Sequence, residues 1–140
     1  MPLPKPVVLS DDAWRARLTP MQYHVLRQSG TERAFTGPFL DQDTPGTYTC
    51  AGCATPLFRS TTKFHSGCGW PSFYDDLRDG SVTIRMDRSH GMVREEIRCA
   101  VCDGHLGHVF NDGPRPTGRR YCVNGAALAF VADSPTGPAR

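Results

Sequence analysis

The spacing of hydrophobic positions changes once along the chain. In the first thirty residues it is helical: Trp14 and Leu18 stand four apart, and Met21, Val25 and Leu26 form a second apolar face. Ser10 precedes the acidic pair Asp11 and Asp12, and Thr19 precedes Pro20. Each is a helix start: the hydroxyl caps free amides, carboxylates suit the positive end of the dipole, and proline fits the first helical position. Gly30 is the expected stop. Two short helices are therefore predicted, packed on one side of a sheet.

From Thr47 the period becomes two. Residues 47–50, 56–58, 63–65, 72–74, 81–85, 92–98, 105–110, 119–124 and 126–131 read as short strands. Val82 and Ile84 share a face, as do Val93, Glu95 and Ile97. Residues 31–46 contain Gly37-Pro38 and Pro45-Gly46 without periodicity, which predicts a long surface connection. Residues 1–9 read as an extended or frayed lead-in and 134–140 as a loose tail. The pattern gives one mainly β domain over 1–140, a β-sandwich or open barrel with short N-terminal helices.

Composition narrows the function classes. The 140 residues carry a net charge of +2, so there is no basic footprint and no nucleic-acid partner is expected. The longest apolar run near the N-terminus is Val7-Val8-Leu9, too short for a signal segment or a membrane span. The expectation is a cytoplasmic protein without a membrane partner. Six cysteines in a reducing compartment indicate metal binding or catalysis rather than a disulfide scaffold.

Four of the six form two Cys-x-x-Cys pairs, Cys50/Cys53 and Cys99/Cys102, with 45 residues between them. A Cys-x-x-Cys turn can point both sulfurs to one side, and two such turns complete a tetrahedral four-sulfur zinc site. One structural zinc per chain is expected, with no open position for water and a direct contribution to folding. The competing reading is a thioredoxin-like redox pair, which opens a helix and occurs once.

Cys68 and Cys122 remain. Either is an inert small hydrophobe, or the two are an attacking and a resolving thiol. Cys68 lies in the glycine loop Ser66-Gly67-Cys68-Gly69, and Cys122 follows Arg119 and Arg120 on a strand. A nearby cation lowers a thiol pKa, which favours Cys122 as the thiolate. His105 and His108 are candidate proton donors, and a bulge at Gly107 would turn both imidazoles to one site. One of them could instead serve only a backbone hydrogen bond, and metal binding by His105 is disfavoured because four cysteines already complete a site. Trp70, between Gly69 and Pro71, is either a core residue or a partly exposed platform for a methyl group.

These stretches resemble a known family. Ser66-Gly67-Cys68-Gly69-Trp70-Pro71-Ser72-Phe73, the two cysteine pairs, Gly104 to Phe110, Asp112-Gly113-Pro114 and Arg120 to Asn124 are similar to the zinc-containing methionine-R-sulfoxide reductases of the B type. So are Leu18 to Tyr23, Gly30-Thr31-Glu32 and Phe35-Thr36-Gly37. The likeness covers about residues 10–132, taken as the core between flexible ends. It implies an Mss4-like β fold with a four-cysteine zinc module remote from the active site. It implies reduction of the R epimer of methionine sulfoxide, mainly in oxidised proteins, with thioredoxin as reductant. Cys122 would be the nucleophile and Cys68 the resolving thiol, joined in a disulfide after each turnover. Trp70 would hold the substrate methyl, with Phe110 near it, and His105, His108 and Asn124 would surround the sulfoxide oxygen. Two positions depart from the family's pattern: His65 where many members are acidic, and Gly125 where many have serine. The runner-up is a zinc-stabilised β module that binds protein and has no redox activity.

Overall fold

The computed structural model describes residues 7–40, 42, 44–77, 81–88 and 91–133. The expected frayed start at 1–6 and loose tail at 134–140 lie outside the described residues. Val7 to Leu9 are tied down: the Val7 amide donates to the Val101 carbonyl at 2.8 Å, and Val7 and Leu9 pack on the core.

Both helices start where the capping residues put them. Helix α1 spans Asp11–Arg17 and is capped by Ser10; helix α2 spans Pro20–Gln28 and is capped by Thr19, with Gln22 completing a capping box. The α2 stop differs from expectation. Ser29, not Gly30, takes the left-handed conformation, and Gly30 is needed because a Cβ there would meet the His24 ring at 2.2 Å. The buried face of α2 is Tyr23, Val25 and Leu26, whereas Met21 is exposed because it stands outside that face.

Two antiparallel sheets follow. The small one is ordered β2-β1-β9, from β1 (Gly46–Cys50), β2 (Pro56–Arg59) and β9 (Leu128–Ala132). The large one is ordered β3-β4-β8-β7-β6-β5, from β3 (Lys63–Phe64), β4 (Ser72–Phe73), β5 (Val82–Asp87), β6 (Arg94–Cys99), β7 (His105–Phe110) and β8 (Arg120–Val123). A 3-10 turn at Gly125–Ala127 occupies the start of the last expected strand. The sheets meet through aromatic side chains. Phe58 stacks on Phe73 at 4.4 Å between ring centroids and Tyr48 meets Phe73 edge-on at 5.2 Å. The inner face of the large sheet runs through Ile97, Val109, Tyr121 and Val123, all buried. It outruns its cover at β5, where Ile84 and Met86 are exposed despite sharing the apolar face; Val93 precedes β6 and is exposed too.

Each Cys-x-x-Cys pair is the turn of a hairpin, one per sheet. Cys50 to Cys53 joins β1 to β2, and Cys99 to Cys102 joins β6 to β7. The two turns repeat one backbone geometry. Ala54 N–H donates to Cys50 O at 2.8 Å and Asp103 N–H to Cys99 O at 2.9 Å, and both Ala54 and Asp103 have positive φ. The helices close over these turns, and Arg27 donates to the Cys102 carbonyl at 2.8 Å.

Candidate active site

Strand register assembles the site. One row crosses all six strands of the large sheet: Phe64, Ser72, Cys122, His108, Glu96 and Arg85 are successive partners. Directly opposed residues in an antiparallel sheet share a face. Cys122 therefore lies between Ser72 and His108 on the outer face, away from the aromatic core. Arg120, two residues earlier on β8, shares that face and stacks on Phe110 at 4.4 Å while pairing with Asp112 at 2.9 Å. Arg119 points the other way and donates to the Tyr121 hydroxyl, so only one of the two arginines faces Cys122.

The expected bulge exists, one residue before Gly107. Ile97 pairs with Gly107 but Arg98 pairs with His105, which leaves Leu106 as the extra residue. The slip places both histidines on the outer face, with ring centroids 5.6 Å apart. It also presents the Leu106 carbonyl to Asn124, which donates to it from both backbone N–H and Nδ2 at 2.9 Å.

The loop carrying Cys68 folds back over Cys122. Their sulfurs lie 3.3 Å apart, against about 2.05 Å in a disulfide. Around Cys68 stand the Ser66 hydroxyl at 3.0 Å and the Ser72 hydroxyl at 3.4 Å. The pair lies in a cavity of about 310 Å³, lined also by Thr31, Trp70, Arg94, Gly107, His108, Phe110, Arg120 and Asn124. Trp70 is half-buried, and its indole N–H donates to the Glu32 carbonyl at 3.0 Å. Of the expected site residues, Cys68, Trp70, His108, Phe110, Cys122 and Asn124 all line this cavity. His105 does not. It is 3% exposed and lines an adjoining polar cavity, its Nδ1 2.6 Å from Glu96. His108 reaches both cavities, with Nε2 2.8 Å from Asp87.

The electrostatics reverse one expectation. Burial pushes the Cys122 thiol up to about 12, helped by its contact with Cys68, and Arg120 offsets only part of this. For Cys68 burial also pushes upward, but hydrogen bonds from Ser66 and Ser72, then those at Trp70 and Cys122, bring the thiol down to about 7. Of the two, Cys68 is thus the more readily ionised thiol. The sequence showed two arginines beside Cys122; it did not show the two hydroxyls that the loop brings to Cys68. His105 is lowered, first by burial, against its hydrogen bond to Glu96.

The other four cysteines form a separate group. The Cys50, Cys53, Cys99 and Cys102 sulfurs all lie within 4.8 Å of one another, with Cys50–Cys102 and Cys53–Cys99 both at 3.6 Å. A tetrahedron with 2.3 Å metal–sulfur bonds has sulfurs about 3.8 Å apart, so the group fits a four-thiolate metal ion.

Glu32, Asp87 and Glu96 were not singled out from sequence for this site. Glu32 lies in the non-periodic 31–46 segment, which is a surface connection only in part, since Glu32 is 3% exposed. Asp87 and Glu96 sit on polar alternations of β5 and β6. The only sequence signal for Glu96 was the polar alternation Arg94, Glu96, Arg98. At Gly125 a Cβ would meet the Pro38 carbonyl at 2.0 Å, so this chain's glycine matches its own backbone approach. His65 is exposed and lines a cavity on the far side of Trp70.

The model of the SelR domain family matches residues 18–132. The peptide methionine sulfoxide reductase MsrB of Agrobacterium fabrum is 60% identical over 121 residues, covering 86% of this chain and 90% of that protein. MsrB of Leptospira interrogans is 60% identical over 121 residues, covering 86% and 92%. Among solved structures, the crystal structure of the Mis18 'Yippee-like' domain matches with a TM-score of 0.50 and 22% identity, over 62% of this chain and 95% of that one. That likeness concerns the fold alone.

Proposed function

The chain belongs to the SelR domain family, the MsrB peptide methionine sulfoxide reductases, and from that premise we propose that Cys122 and Cys68 reduce the R epimer of methionine sulfoxide in oxidised proteins. One observation carries the assignment: the two sulfurs are 3.3 Å apart in a cavity that also holds Trp70, Phe110 and His108.

The sulfoxide sulfur is electrophilic, and its oxygen leaves only when protonated. His108 supplies that proton. It lines the thiol cavity, and Asp87 orients its ring. His105 is held in the next cavity by Glu96, so His108 is the donor. The Cys122 proton passes to the Cys68 sulfur beside it, and the Cys122 thiolate attacks the substrate sulfur. Oxygen is transferred, methionine leaves as the thioether, and Cys122 becomes a sulfenic acid. The Cys68 thiol then attacks Cys122 and expels water, forming the Cys68–Cys122 disulfide. A dithiol protein of the thioredoxin type reopens it by exchange. Trp70 and Phe110 present apolar ring surface to the substrate methyl group. Asn124 spends its amide on the Glu32 backbone and the Leu106 carbonyl, which makes it a positioning residue.

The metal we assign to the four-cysteine group is zinc. It supplies structural cross-linking between the hairpins and no chemistry at the thiol cavity. Four grouped thiols and a redox pair suit a reducing compartment, and we place the enzyme in the cytoplasm.

The test is single turnover on separated R and S epimers without external reductant. Wild type and Cys68→Ser should each release about one methionine per chain from the R epimer, and Cys122→Ser none. Only wild type should cycle once thioredoxin is added. Equal bursts from Cys122→Ser and wild type would remove Cys122 from the nucleophile role.

A further inference from the structure

Glu32 is a buried carboxylate whose hydrogen-bond partners are two backbone amides. Its oxygens accept from Gly125 N–H and Ala126 N–H, each at 2.8 Å. These amides open the turn that follows Cys122, Val123 and Asn124, and an unpartnered buried amide is costly. The backbone of Glu32 makes two further bonds. Its N–H donates to Asn124 Oδ1 at 2.9 Å, and its carbonyl accepts from Trp70 Nε1 at 3.0 Å. One residue thus joins the strand end beyond the nucleophile to the indole in the substrate cavity.

This arrangement is sterically closed. A Cβ at Gly37 would meet Glu32 Oε2 at 1.9 Å, so the 31–46 segment folds tightly around the carboxylate. The indole N–H bond to the Glu32 carbonyl restrains the tilt of Trp70, because swinging the ring away would break it. A flat indole held at a fixed tilt sets how large a group fits between it and the sulfur under attack.

We propose that Glu32 is a positioning residue for the methyl subsite: by clamping the turn after Asn124 it fixes the tilt of Trp70, and so the discrimination between S-methyl and larger S-alkyl sulfoxides. This rests on the reading of Trp70 as the surface that receives the methyl group. A pocket that senses one methylene distinguishes substrates by roughly 10- to 200-fold, and a loosened wall returns part of that.

The experiment compares kcat/KM for the R sulfoxides of N-acetylmethionine and N-acetylethionine in the metal-loaded full chain. Glu32→Gln puts an amide donor against a backbone N–H. It should lower the methyl-over-ethyl ratio by about fivefold or more, chiefly through a changed KM for the methyl substrate. Gly37→Ala keeps the glutamate but displaces its carboxylate, and should shift the ratio in the same direction. It is the deciding variant if Glu32→Gln does not fold. Glu32→Asp, which keeps the charge, should fall between wild type and Glu32→Gln. Equal losses on both substrates, with the ratio unchanged, would overturn the proposal and leave Glu32 a stabilising group only. Trp70→Ala separates the two readings. If it leaves the ratio at the wild-type value, the reading of Trp70 fails, and the proposal with it. If Trp70→Ala collapses the ratio while Gly37→Ala and any folded Glu32 variant leave it intact, the proposal alone fails.

Discussion

The chain holds two groups of thiols, built in opposite ways. Cys50, Cys53, Cys99 and Cys102 come from two hairpin turns with the same backbone geometry, and three of the four are buried. Their spacing is fixed locally, by turn geometry, and the sheets need only bring two preformed halves together. Cys68 and Cys122 come from a glycine loop and a strand 54 residues apart, and both are partly exposed in a cavity. Their distance is set by tertiary structure alone. The first arrangement suits a site that must stay shut. The second suits a bond that must form, break and admit substrate. Residue type is the same in both; access and neighbours decide the chemistry.

The largest expected effect separates them by stability. Structural zinc in small domains contributes about 10–16 kcal/mol of apparent binding free energy, comparable to or larger than a domain's whole stability. Cys99→Ser, or prolonged chelation, should therefore abolish the cooperative thermal transition. Cys122→Ser and Cys68→Ser should leave it within a few degrees of wild type, since neither opens a cavity in the core. Thermal melts with parallel metal analysis would read this. A melt unchanged by complete metal removal would make the four-thiol group something other than a structural metal site.

A smaller effect probes the cavity side of the contrast. His108→Asn should slow methionine release in single turnover by about 10²- to 10⁴-fold, the range for losing a positioned acid. His105→Asn should slow it much less, because that ring faces Glu96 in the adjoining cavity. The reverse ranking would move the proton donor to His105.

What was legible in the sequence follows the same division. Capping residues placed both helices, and two-residue alternation placed the strands, because these signals are local. The four-cysteine group was legible for the same reason: each half is contiguous in sequence. The proximity of Cys68 and Cys122 was not written in any local spacing, and came from resemblance to a family. The charge on the pair was misread. Arg119 and Arg120 are adjacent in sequence but alternate across the sheet, and Ser72 reaches Cys68 only because β4 pairs with β8. Glu32 was hidden in a segment without periodicity, since a residue held by backbone amides of a distant turn leaves no pattern of its own. The bulge at Leu106 was missed by one residue; glycine permits a bulge, but pairing with β6 decides where the extra residue goes.

The smallest effect tests which thiol of the pair ionises first. A thiol alkylates as its thiolate, so its rate rises with pH through its pKa. In wild type, modification should begin at Cys68 and rise to half its plateau near pH 7, the value its hydroxyl neighbours set. Cys122, held up to about 12, should stay unmodified at neutral pH. In Cys68→Ser the hydrogen bond and the negative charge that raise Cys122 are both gone, while burial and Arg120 remain. The Cys122 midpoint should therefore move down, and adding Arg120→Gln should move it part of the way back up. Mass spectrometry of iodoacetamide adducts across pH would assign each curve to its cysteine. If Cys122 is alkylated first in wild type, the resting charge sits on Cys122, and the acidity order of the pair is the reverse of the one its neighbours imply. The four metal cysteines should stay unreactive throughout in the metal-loaded protein, because a bound dication holds their lone pairs whatever the pH in this range.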